Sequence, residues 1–340
     1  MTHTQVEQQT APENNPAQIT LLKIREWGAC SDGRDWFREK FPQGGTYGDV
    51  MTGLYADKRY GDAWWLADKA FDVKNISADF IESDVSSIIA ATEGVDVDPG
   101  NDAQAGFSGN DAQAGFSGNY AQAGFSGDDA QAGFSGNDAQ AGFSGNYAQA
   151  GFSGDDARAG FSGYGARAAF SGNGAQAAFS GNGAQAAFSG DGARAGFSGY
   201  SAQAGFSGNY ARAGFSGNYA QAAFSGDGAR AGFSGNYAQA GFSGDDARAG
   251  FSGYGARAAF SGDDARAGFS GYGARAECTG ENATIVFAGL DGSVILGKGG
   301  AANLMWNDGT RDRFVHLYEG EDGIEAGVLY TVKDGKVVRA

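Results

Sequence analysis

Proline is nearly missing from this 340-residue chain, at 4 residues, while glycine reaches 60. Glycine-rich flexible linkers usually carry proline and lack large apolar side chains. Here phenylalanine recurs at a fixed interval among the glycines, which excludes a simple linker. Histidine and cysteine are scarce too: His3, His316, Cys30 and Cys278 are all there are. They supply no Cys/His pair, no metal-spaced ligand set and no disulfide framework. Clustered carboxylates are also missing, so we expect neither enzyme activity nor a cofactor or metal.

Positive charge is in short supply. The chain has 24 Lys and Arg against 40 Asp and Glu, a net charge of -16. The excess of acid holds along its length, with 17 acids and 9 bases in residues 1–100, 14 and 9 in 101–280, and 9 and 6 in 281–340. Direct binding to nucleic acid or to an anionic membrane is therefore not expected. The first residues have no basic start and no apolar core of a secretory leader, and no apolar run is long enough to span a bilayer. The expected location is the cytoplasm.

What the chain does have is one nine-residue unit repeated twenty times without a gap over residues 101–280. Its pattern is [N/D/Y]-x-A-[Q/R]-A-[G/A]-F-S-G. Apolar and polar positions alternate over Ala103, Gln104, Ala105, Gly106 and Phe107, which is strand periodicity. Ser108, Gly109, Asn110 and Asp111 supply turn chemistry. Two units should close one coil of 18 residues, giving a mainly β, two-sided parallel solenoid of about 10 coils at roughly 4.8 Å each.

The variable positions alternate with the same two-unit phase. First-position tyrosines Tyr164, Tyr200, Tyr254 and Tyr272 all fall in even units. Arg194, Arg212, Arg230, Arg248 and Arg266 fall in odd units and should stack in one ladder. Asp at the first position is usually followed by Arg at the fourth, and Asn by Gln. Ion pairs with Asp191, Asp227, Asp245 and Asp263 would neutralise the arginines, and Tyr254 over Arg257 would make a cation–π contact. Duplication of a few unit types gives the same correlation. These arginines, aspartates and tyrosines, with Trp64 and Trp65, form the candidate interaction surface.

Residues 1–18 read as a disordered tail, 19–95 as a helical domain and 96–100 as a linker. Ser31 or Asp32 can cap one helix, Thr46 a second, and Asp62 can start a third that carries Trp64 and Trp65. This domain is expected to cap the open N-terminal end of the solenoid, whose unpaired strand edges invite aggregation. Residues 281–340 read as a small β-rich cap domain with Asp-Gly turns at Asp291 and Asp334. Gly292 to Lys298 has the spacing of a phosphate loop, but it is made of strand formers and lacks the Ser or Thr that would ligate Mg²⁺. The unit is also out of step with the calcium nonapeptide, because a phenylalanine replaces a glycine and the key Asp is usually absent.

The Ser-Gly-x-x-Ala-x-Ala rhythm resembles the head repeats of trimeric autotransporter adhesins. The whole layout resembles uncharacterised proteins encoded by phages and prophages, through RYGDAWWLADKAF at 59–71 and HLYEGEDGIEAGVLYTVKDGKVVRA at 316–340. That resemblance implies a mobile-element origin and a non-enzymatic protein that binds a host or phage protein. Inhibition of a defence system and an acidic, DNA-imitating rod are two forms of that reading. The alternative is a structural spacer or fibre whose length follows repeat number. A homo-oligomer formed through the terminal domains is compatible with either.

Overall fold

The computed structural model describes residues 18–70 and 101–340. The expected tail to residue 17, the segment 71–100 with its linker, and Phe71 lie outside the described residues. The N-terminal part opens with β1 (Gln18–Ile19), α1 (Leu21–Glu26), α2 (Ser31–Lys40), β2 (Gly45–Thr46), α3 (Tyr47–Ala56) and α4 (Tyr60–Ala70). The α2 cap is Cys30, one residue before the expected Ser31, and its Sγ accepts the Gly33 amide. Thr46 caps α3 as expected, in a reciprocal box with Asp49. Ile24, Phe37, Tyr47, Met51 and Leu54 form the buried centre of this module.

Each nonapeptide then makes one four-residue strand, from β3 (Gln104–Phe107) to β22 (Arg275–Cys278). Alternate strands pair in parallel, so there are two sheets of 13 strands. We call them the odd sheet, which starts at β3, and the even sheet, which starts at β4 (Gln113–Phe116). The register is 18 residues throughout, as in Gln104 opposite Gln122 and Phe107 opposite Phe125. Both alanines flanking the fourth position and the phenylalanine point inward, while the fourth and sixth residues point outward.

Three repeated devices hold the coils in register. Phenylalanines stack directly on their counterparts one coil away, with centroids 4.7 to 4.9 Å apart. The first-position Asn or Asp accepts the backbone amide of the residue 18 further on, as Asn146 Oδ1 does from Tyr164 at 3.0 Å. The second-position residue takes positive φ, whether it is Gly165 at 67° or Tyr219 at 58°. Its amide donates to the next coil, as Tyr219 does to the Asn236 carbonyl at 2.8 Å. Here the ladder of backbone bonds fixes a tyrosine where its intrinsic preference is poor.

The solenoid runs further than the repeat. β23 (Thr284–Phe287) and β24 (Ser293–Ile295) form an eleventh coil in the same parallel register instead of belonging to a separate cap domain. Phe287 extends the odd-sheet ring stack, and Cys278 replaces the ring in the even sheet. Burial pushes the Cys278 thiol up to about 12. Gly292 to Lys298 thus includes a strand of this coil, which is not the context of a phosphate loop. Beyond it, β25 (Ala301–Asn307) pairs with antiparallel β26 (Asp312–Tyr318), and β24 with antiparallel β27 (Leu329–Lys333) and then β28 (Lys336–Arg339). Both sheets therefore finish on a charged antiparallel strand, which ends the parallel stacking.

Candidate functional site

The two sheets have the same repeat chemistry and different surroundings. On the even sheet the outward side chains of Gln131, Arg167, Gln185 and Gln203 are buried, Arg167 to 3% exposure. Its guanidinium donates to two tyrosines of α3, Nη1 to Tyr55 at 2.5 Å and Nη2 to Tyr47 at 3.2 Å. Ala187, an outward residue on the next strand of that sheet at 0% exposure, joins the apolar cluster of the helical module. The described contacts of the helices are therefore with the outward face of the even sheet. This corrects the expectation that they close the N-terminal end. Their anchor is a charged donor fork meeting two phenols, on a flat strand face that lets a helix come close.

Arg167→Gln is expected to loosen this docking by about 3 kcal/mol, because it removes charge-assisted bonds of a buried guanidinium. Amide exchange in α3 should accelerate while exchange in the distal coils stays unchanged. Unchanged protection of α3 would rule Arg167 out as the anchor.

The odd sheet faces solvent. Arg194, Arg212, Arg230, Arg248 and Arg266 lie on consecutive strands in exact register, and all five are exposed. Among the described residues none of them has an ion pair, hydrogen bond or ring contact. The expected pairing with aspartates does not form. Asp191, Asp227, Asp245 and Asp263 instead accept backbone amides of the next coil at 2.6 to 3.0 Å. An aspartate here does the work of an asparagine, held back against the turn while the arginine projects from the sheet.

Seven of the nine repeat tyrosines gather on the other corner, ahead of the even strands, while Tyr120 and Tyr210 lie ahead of odd strands. Tyr200, Tyr219, Tyr237, Tyr254 and Tyr272 form a continuous run with centroids 5.2 to 5.9 Å apart. Tyr164 meets Tyr147 at 5.8 Å. Tyr147, Tyr219 and Tyr237 occupy the second position of their units and were missed from the sequence. The signal was a tyrosine spacing that shifts from 18 to 17 or 19 residues wherever the run passes between the first and second positions. The expected Tyr254–Arg257 contact is replaced by Tyr254 stacking on Tyr272. Tyr272 donates to the Asp291 carboxylate, and that bond raises the pKa of the phenol.

Trp65 is partly buried against the module's core. Trp64 lies in α4, and its side chain is outside the described ones. The ladders also divide the rod lengthwise. Residues 101–190 carry seven acids and two arginines, whereas 191–280 carry seven acids and seven arginines. The distal half is neutral overall, with its charges sorted into separate rows.

The sequence profile of the YdhT N-terminal domain family matches residues 8–74. The helical module is similar to the YdhT N-terminal domain. A stretch of 42 residues is 50% identical to a protein of Escherichia coli (strain K12) named "Uncharacterized protein YdhT". That stretch covers 12% of this chain and 16% of the E. coli protein. The profile match takes in the YdhT-like module and stops short of the solenoid. No solved structure matches the chain. No described helix is long and apolar enough to cross a membrane.

Proposed function

We propose that this chain is a non-enzymatic docking protein that binds a protein partner through its odd sheet. The solenoid acts as a stiff frame. It carries the YdhT-like module on one broad face and presents the other. The observation behind this reading is the row of five exposed, partnerless arginines. Two unit charges in water at the strand spacing repel by about 1 kcal/mol. The chain holds enough acid to quench the row, yet the first-position aspartates Asp191, Asp227, Asp245 and Asp263 are committed to turn amides. An incoming acidic surface would relieve that repulsion. The likeness to mobile-element proteins points to a partner in the host cell, which an inhibitor of a host system would require. Imitation of DNA is the weaker form of the proposal, since acids and arginines balance in the distal half.

The test is affinity capture by the tagged full chain from bacterial lysate, at low and high salt, beside a variant with Arg212, Arg230 and Arg248 replaced by Gln. A component retained in stoichiometric amount by the natural chain, and lost both at high salt and by the variant, supports docking. Equal retention by both proteins, or recovery of the chain alone, overturns it in favour of a structural rod.

A further inference from the structure

We propose, building on the docking reading, that the element received by the odd sheet is an acidic α-helix. It would lie along the rod with one carboxylate per turn facing the arginine row. The first support is internal. The even sheet, built from the same unit, already receives a helix, α3, and holds it with an arginine at the fourth position of its unit, Arg167. Each of the five arginines in the odd-sheet row occupies that same fourth position.

The second support is the match of repeats. Neighbouring strands are about 4.8 Å apart, so five arginines span four steps, about 19 Å. A helix advances about 5.4 Å per turn, hence about 22 Å over four turns. Long, flexible arginine side chains absorb that small drift. Same-face residues of an extended strand advance about 6.7 Å, hence about 27 Å over four steps. An extended acidic segment would fall out of step with the row.

Shape narrows the choice further. Beside the arginines run Gly196, Gly214, Gly232, Gly250 and Gly268, where an added Cβ would meet nothing within 4 Å. That leaves a smooth, shallow trough in which a helix of about 10–12 Å diameter can approach the strand backbone. Asp191, Asp227, Asp245 and Asp263 come just before Arg194, Arg230, Arg248 and Arg266, so four of the five arginines follow an acidic corner. It repels a broad polyanion such as duplex nucleic acid and leaves room for a narrow one. A second copy of this chain does not fit the face either. A two-fold axis across the rod would set arginine against arginine. One along the rod would set arginine against the serine side of the trough.

The probe is a fluorescent Ala/Gln-based helical peptide of about 22 residues, with Glu every three or four positions along one face. Its anisotropy is followed as the full chain is added at low salt. The comparison peptide has the same composition with its Glu residues spread around the helix. The variant is R212Q/R230Q/R248Q, and Gln already stands at the fourth position of the odd-sheet units at Gln122, Gln140 and Gln176. Unchanged circular dichroism verifies its fold.

We expect saturable binding of the one-faced peptide, weakened about tenfold by the triple substitution and similarly by spreading the Glu residues. The inference is overturned by absent binding, by equal binding of the two peptides, or by a variant that binds as well as the natural chain. It is overturned equally if heparin or a single-stranded oligonucleotide binds through the arginines and the peptide does not. Ladder-dependent capture from lysate combined with a silent peptide would sink the helix and leave the docking reading standing. Failure of both experiments would sink both.

Discussion

Gly199→Ala should break the solenoid, while Gly196→Ala, three residues away, leaves it standing. A Cβ at Gly199 would lie 1.8 Å from the Gly181 carbonyl oxygen and 2.4 Å from its carbon. Those atoms are backbone, clamped between the turns of adjacent coils, and have nowhere to retreat. The ninth position is glycine in all twenty units because the corners of successive coils touch there. Gly196 faces outward with open space around it, and Ala178 already fills the same site two units earlier. The expected cost at Gly199 exceeds about 4 kcal/mol, beyond the usual range for a point substitution. At Gly196 it should stay within about 0.5 kcal/mol. Thermal melts followed by circular dichroism separate the two, and a Gly199→Ala protein that melts like the natural chain would refute the close-contact argument.

Phe188→Ala comes next in expected size. Its ring is fully buried and lies 4.8 Å from both Phe170 and Phe206. Removing it should cost about 3–5 kcal/mol. In a stacked repeat each coil touches only its neighbours, so the loss stays local and uncouples the blocks on either side. We expect urea unfolding to split into two steps. Trp306 in β25 reports the C-terminal block, and the tryptophans of the module report the N-terminal one. A single transition with an unshifted midpoint would show that the ring stack contributes little to cohesion.

Much of this architecture could be read from the chain because a nine-residue period leaves few geometric choices. Alternation over Gln104 to Phe107 set the strand and its inward face. The two-unit phase of tyrosine and arginine set the coil at 18 residues and placed the five arginines in one row. Thr46 announced α3 through its capping chemistry. The illegible parts depend on context that a unit does not carry. Arg167 and Arg158 sit in units of similar sequence, yet only Arg167 lies under the module. The Asp–Arg correlation suggested a contact that does not form, because the corner amide competes for the carboxylate and wins. The eleventh coil was hidden because Ile285 and Val286 replace the small residues of the unit, although the backbone register is unchanged. The tyrosine row was half visible, since its members alternate between two adjacent positions.

The two-sheet winding makes the chain sensitive to parity. Inserting a single nonapeptide ahead of residue 191 would move every later unit to the opposite sheet. The arginine row and its aspartates would then lie on the sheet that carries the module, and the tyrosine run would move to the corner ahead of the odd strands. Inserting two nonapeptides leaves every row on its own face and lengthens the rod by about 4.8 Å. Lineages of this protein should therefore gain or lose units in pairs wherever the open face is under selection, and odd counts should mark copies in which that face no longer matters.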